Sequence, residues 1–253
     1  MRMSVGRFSR FLGQAKNSKV LFPYATLVEA PLGAKIVVLS PHPDDDILGC
    51  GGVLAKHANI GASIASVYMT DGRKGDPSFS SEDELVKERQ KEARSACDVI
   101  GIRQLEFLGA RDQELRATTK IVKQLEQVLA KCNPDLVYVP FFLDNHLDHL
   151  ETNRVLVQAA GAVDPQTKVA MYETWTPLVC PNLLVNTTEV MDLKERAIRC
   201  HKTQMKVINF MTAFGGLNAY RAAFAGINGY AEAFWYLPLQ GYVKTFREFV
   251  KQS

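Results

Sequence analysis

Apolar residues come in two rhythms along this chain. Ile36–Ser40 (IVVLS), Ser63–Thr70 (SIASVYMT), Gln104–Leu108 (QLEFL) and Leu136–Pro140 (LVYVP) are short runs rich in β-branched or aromatic residues. Runs that stay apolar at successive positions predict strands buried on both faces, as in a parallel sheet. Lys168–Tyr172 and Leu183–Val185 are weaker strand candidates. Between the runs, apolar residues recur three and four apart. Glu82–Ile100 is amphipathic and ends at Gly101, a natural C-terminal cap. Thr118–Cys132 places Ile121, Val122, Leu125, Val128 and Leu129 on one face. Short helices are predicted over Gly49–Asn59 and Glu151–Ala162, and a long mixed one over Glu189–Met211. The aromatic stretch Phe210–Tyr236, interrupted by Gly215-Gly216, Gly226 and Gly229, reads as loops and short helices packed over the sheet. Strands alternating with helices imply βαβ units. The expected fold class is α/β: a Rossmann-like, doubly wound, mostly parallel sheet in a single domain over residues 31–253. A basic N-terminal arm over residues 1–30 precedes it.

That alternation gives two polar clusters a common address. Ser40-Pro41-His42-Pro43-Asp44-Asp45-Asp46 begins where the first strand ends, and Asp144-Asn145-His146-Leu147-Asp148-His149 follows the fourth. In a sheet of order 3-2-1-4-5 these strands are neighbours whose onward connections leave on opposite faces. Ligands bind in the crevice at their carboxyl ends. The two clusters offer His42, Asp45, His146 and His149 as zinc-type ligands, with Asp44 and Asp148 beside them. One such cluster alone reads as a turn with a capping Asp; two, each at the end of a buried strand, point to a metal. Gly49-Cys50-Gly51-Gly52 loosely imitates a dinucleotide-binding loop, but Leu54 stands where the third glycine belongs and the three Asp side chains would repel a pyrophosphate. Close packing of helix on sheet is the better use of these glycines.

Composition narrows the classes. Thirty basic and twenty-seven acidic residues leave a net charge of +3, spread along the chain, which does not suit a nucleic-acid interface. The five cysteines are widely spaced with no C-x-x-C, so neither a disulfide framework nor a thiolate metal site is expected. No run of eighteen apolar residues and no secretory h-region occurs, and a cytoplasmic protein is expected. A homo-oligomer is left open.

The two clusters resemble the signatures of the LmbE-like, or PIG-L, deacetylases. Pro41-His42-Pro43-Asp44-Asp45-Asp46 with Gly49-Cys50-Gly51-Gly52 is similar to the first motif, and His146-Leu147-Asp148-His149 to the second. Further segments are similar as well: Thr70–Gly75, Glu88–Glu92, Phe107–Asp112, Tyr172–Trp175 and His201–Gln204. The resemblance implies the LmbE-like deacetylase fold and a zinc-dependent hydrolase that removes an acyl group, typically acetyl, from a small N-acylated amino-sugar conjugate. Iron, cobalt or nickel could fill the same ligands. It implies His42, Asp45 and His149 as metal ligands and Asp44 as general base, ionised beside the cation. A protonated His146 would stabilise the oxyanion, with Asp148 orienting or charge-stabilising it. Arg89 and Asp112 would contact the sugar. Asp71 would support the first loop, Arg73 and Lys74 would meet an anionic substrate part or solvent, and Trp175 and His201 would line the pocket or pack. Loops 73–82, 111–117 and 209–230 would set specificity. The alternatives are an amidase acting on a non-sugar amide or thiol conjugate, and a carbohydrate-binding relative without chemistry.

Overall fold

A computed structural model describes residues 25–251. The strands are β1 (Thr26–Val28), β2 (Lys35–Ser40), β3 (Ser63–Thr70), β4 (Gln104–Ala110), β5 (Leu136–Pro140), β6 (Lys168–Tyr172), β7 (Leu183–Asn186) and β8 (Ala231–Pro238). The helices are α1 (Asp45–Asn59), α2 (Glu82–Ile100), α3 (Thr119–Cys132), α4 (Leu147–Ala159), α5 (Met191–Ile198), α6 (Lys202–Met205), α7 (Phe210–Phe224) and α8 (Leu239–Lys251). The strands form one sheet in the order β1-β7-β8-β6-β5-β2-β3-β4. All pairs are parallel except those of β8, which runs antiparallel to both β6 and β7. The segment β4-β3-β2-β5-β6 is the expected 3-2-1-4-5 order.

Alternate residues of each strand serve two cores. Ile36 and Val38 face one side with Leu54, Ala96 and Phe210; Val37 and Leu39 face the other with Leu125, Leu156 and Phe246. Helix α1, leaving β2, therefore covers one face and α4, leaving β5, the other. The crevice between β2 and β5 is the switch point. Helix α2 ends at Gly101 in the left-handed conformation (φ 97°), which glycine adopts without a Cβ clash.

Several elements differ from expectation. Helix α1 begins at Asp45, not Gly49, and breaks at Cys50 (φ −142°, ψ 19°). Helix α4 begins at Leu147 because His146 caps it, its ring nitrogen accepting from Asp148 N. The segment 189–211 is not one helix. The carboxylate of Glu92 accepts from Thr203 N (2.8 Å) and Thr203 Oγ1 (2.7 Å), so α6 starts afresh after Ile198. The stretch 210–236 holds a full helix, α7, and most of β8 rather than loops. Its glycines 226 and 229 have positive φ and mark the turn between them. Within the expected arm, Thr26–Val28 pair with Leu183–Val185 as an edge strand; residues 1–24 lie outside the described residues. All five cysteines are free thiols. Among the described residues no helix is long and apolar enough to cross a membrane.

Candidate metal and active site

The β2–α1 loop is built to hold its polar groups still. Pro41 O accepts from Thr70 N (3.0 Å) and Thr70 Oγ1 (2.8 Å), which anchors the loop to β3. Gly49 lets α1 approach β6: a Cβ there would lie 2.2 Å from a ring carbon of Tyr172. The three consecutive carboxylates then part company. Asp46 turns inward and accepts from Ser66 Oγ and Tyr68 Oη, each at 2.9 Å. Asp45 Oδ2 lies 3.0 Å from His42 Nδ1 and 3.3 Å from His149 Nε2. Asp44 occupies the N-cap position of α1 but makes no capping bond. Its Oδ2 lies 3.0 Å from Arg89 Nη2 instead.

The β5–α4 loop supplies the other side. His149 is fully buried, and its Nδ1 lies 3.2 Å from Asp144 Oδ2. Asp144 Oδ2 also accepts from Thr174 Oγ1 (2.6 Å) and Trp175 N (3.1 Å). The rings of His42, His146 and His149 have centroids 4.6–5.4 Å apart. His42 Nε2 lies 3.3 Å from both Asp112 Oδ1 and Asp148 Oδ2. Donor atoms within 4.8 Å of one another form two sets among the described residues, His42/His146/His149 and His42/Asp112/His146/Asp148.

These donors suit a divalent cation. His149 Nε2 is buried and has no hydrogen-bond partner, although it faces Asp45. A buried imidazole nitrogen left unpaired beside a carboxylate is the arrangement a metal ion completes. The electrostatics agree. Burial opposes a charge on either imidazole, yet Asp45 and the other carboxylates outweigh it. They raise His42 well above 6.5 and His149 to about 9. For Asp45 burial acts upward, but His149 and His42 drive its carboxyl well below 3.8. The cavity thus favours positive charge between its histidines and acids.

Three expected roles look different in the structure. Burial raises Asp44 above its ordinary value, with Arg89 acting against it, rather than leaving it a freely ionised carboxylate. Burial and then the neighbouring His42 and His149 lower His146, whose Nδ1 already accepts from Asp148 N at 3.2 Å. A neutral ring bonded in this way carries its proton on Nε2. The Asp148 carboxylate accepts from Gln113 N (2.7 Å) and Leu115 N (3.3 Å) and faces His42, so it is its backbone, not its side chain, that orients His146.

The expected sugar contacts are spoken for within the chain. Arg89 is buried on Asp44 and donates to Gly72 O at 2.9 Å. Asp112 accepts from Lys74 N (3.0 Å) and faces His42. Asp71 accepts from Asp112 N (3.3 Å) and from Arg73 Nε (2.8 Å), which ties two loops together. Lys74 pairs with Glu82. His201 is buried with both ring nitrogens unpartnered, and Trp175 is 47% exposed. Sequence reasoning gave no role to Asp144, Thr174 or Glu232. The only signal for Asp144 was its place in the second cluster. A groove of about 630 Å³ between residues 160–165 and α8 lies at the opposite end of β6 and is lined by no histidine or aspartate.

A family model described as PIG-L, GlcNAc-PI de-N-acetylase, matches residues 37–160, which span both loops. The chain is similar to the diacetylchitobiose deacetylase of Thermococcus kodakarensis, 28% identical over 190 residues, covering 67% of this chain and 70% of that protein. It is 24% identical over 187 residues to a protein of Bacillus cereus named probable N-acetyl-alpha-D-glucosaminyl L-malate deacetylase 2, covering 68% of this chain and 84% of that one. The solved N,N′-diacetylchitobiose deacetylase of Pyrococcus horikoshii superposes with a TM-score of 0.75 at 25% identity, covering 96% of both chains. Both motif loops lie inside the region that matches the PIG-L, or LmbE-like, family model, and the chain shares the fold of a solved deacetylase over nearly its whole length.

Proposed function

We propose that this chain is a metal-dependent hydrolase that removes the acetyl group from an N-acetylated amino sugar or its conjugate. The observation that carries this reading is the pair Asp44–Asp45. One carboxylate lies between His42 and His149, while its neighbour leaves the helix cap free and turns to Arg89. The relatives, named as deacetylases of diacetylchitobiose and of an N-acetylglucosaminyl malate, supply the amino sugar. His42, Asp45 and His149 would hold the metal. Zinc is the first expectation for an imidazole and carboxylate set, with iron, cobalt or nickel as competitors. The free thiols accord with a cytoplasmic setting.

A bound divalent metal supplies Lewis acidity, which acidifies a water and polarises the acyl carbonyl. Asp44 takes the proton of the attacking water and returns it to the amine nitrogen as the C–N bond breaks. Arg89 fixes the direction of that carboxylate, and burial keeps its basicity above that of an exposed Asp. His146 donates from Nε2–H to the carbonyl oxygen as charge develops there. Asp112 and Asp148, on either side of His42 Nε2, hold that ring in place.

The test is acetate release from N-acetylglucosamine conjugates by metal-replete and chelator-treated protein, with elemental analysis of both. Release that depends on metal is expected. Release from an N-acyl thiol conjugate and from no amino sugar would replace the sugar reading with the amidase one. Metal binding with no release from any amide would leave a binding protein.

A further inference from the structure

Gln113 and Asn133 are the two non-glycine residues with positive φ among the described residues. Asn133 is ordinary: it ends α3, and asparagine tolerates the left-handed region there. Gln113, at φ 69°, lies between β4 and α3 and ends no helix. In that region the Cβ of a glutamine crowds the backbone, whereas glycine turns there freely. Strain of this kind persists only where neighbouring contacts hold it, and it collects at functional sites.

The contacts that hold it belong to the histidine cavity. Asp112 Oδ1 and Asp148 Oδ2 each lie 3.3 Å from His42 Nε2. Gln113 N donates to that same Asp148 Oδ2 at 2.7 Å, and Leu115 N donates to Asp148 Oδ1 at 3.3 Å. Lys74 N and Asp71 fasten the start of the turn through Asp112. The left-handed turn thus aims one residue's carboxylate at His42 and the next residue's N–H at the second carboxylate on that ring. All of this uses the backbone of residue 113, so it accounts for the turn and not for the glutamine. The Gln113 side chain is exposed, and its amide makes no hydrogen bond among the described residues. It starts at the rim of the cavity, because its Cα is one bond of about 1.5 Å from the nitrogen that meets Asp148. Ionised, the carboxylates of Asp112 and Asp148 beside it only accept, whereas a glutamine amide also donates.

We infer that Gln113 is a specificity-determining residue: its side-chain amide hydrogen-bonds a hydroxyl of the amino sugar, and the turn carries a strained glutamine instead of a glycine for the sake of that contact. The inference rests on the deacetylase reading above and deepens it with a substrate contact that lies in neither histidine cluster.

Two substitutions separate the amide from the turn. Gln113→Gly removes both the amide and the strain. Gln113→Met keeps the length and the strain and removes only the amide. In both, KM for acetate release from N-acetylglucosamine is expected to rise about three- to tenfold, the worth of one neutral hydrogen bond, with kcat and metal content as in the unaltered protein. Gln113→Gly alone should raise the midpoint of thermal unfolding. Calorimetry gives a reading independent of turnover: both variants, treated with chelator, should bind N-acetylglucosamine more weakly by the same factor. An unchanged KM in either variant would overturn the contact. So would a Gln113→Gly protein that loses metal or unfolds at a lower temperature, because the side chain would then serve the fold and not the substrate. Failure of the unaltered protein to release acetate from any N-acetylglucosamine conjugate would instead overturn the deacetylase reading, and calorimetry would still decide the contact.

Discussion

At the scale of the residue, Asp144 and Asp44 stand differently to the proposed metal site: Asp144 backs the His149 ring, and Asp44 turns away to Arg89. Asp144 Oδ2, 3.2 Å from His149 Nδ1, holds the proton on that nitrogen and leaves Nε2 as the donor. Asp144→Asn is expected to weaken metal binding about 10- to 100-fold, read by competition with a chromophoric chelator. Unchanged affinity would show that Thr174 alone orients the ring. Asp44→Asn is expected to keep its metal and lose turnover by about 10²- to 10⁴-fold, measured by elemental analysis beside acetate release. Full turnover in a metal-replete sample would remove Asp44 from the proton-transfer step. The sequence places these residues at two strand ends and so predicts that they meet. It could not say which carboxylate faces which ring. Asp148 meets His42 because residues 113–115 come from another loop to hold it, a contact that no local spacing encodes.

At the scale of the element, strand alternation and helical spacing were legible wherever one rhythm held, as in β3, β5 and α2. They failed where tertiary contacts reset the backbone. Cys50 breaks α1, and the amides that follow, Gly52 N and Val53 N, donate to Glu232 at 2.8 and 2.7 Å. Glu232 also meets Lys194 Nζ at 2.7 Å, and both side chains are wholly buried. The Gly51-Gly52 pair thus opens a second helix capped by a residue far along the chain. An acidic residue inside a buried strand gave no sign of that purpose. Breaking a buried pair on one side strands the other charge. Glu232→Gln is expected to cost about 3–5 kcal/mol in urea unfolding. A loss under about 1 kcal/mol would show that the break in α1 does not need a charged cap.

For the whole molecule, two buried imidazoles, His57 and His201, weaken the fold towards acid, because burial outweighs the opposing pull of Asp135 on the first and Asp45 on the second. Burial lowers His57 to about 4 and His201 to about 3, against an ordinary 6.5. The unfolded chain therefore binds more protons than the folded one below about pH 6.5. Stability from these groups is complete above that value and declines as pH falls towards 4. Each is expected to remove about 2 kcal/mol by pH 5. Thermal unfolding from pH 7 to 5 should show the fall, and His57→Gln should reduce its slope; an unaltered slope would acquit His57. The sheet order carries one more consequence, for synthesis. β1 and β7 join the other strands only through β8. During translation β8 emerges after the other seven described strands, and it brings Glu232, the cap of the second segment of α1, which begins after the break at Cys50. A nascent chain can assemble β2 to β6 early, but it must leave a sheet edge open and the second segment of α1 uncapped until β8 leaves the ribosome. That interval is when chaperones would find this protein, and a stall before residue 231 would leave an edge open to aggregation.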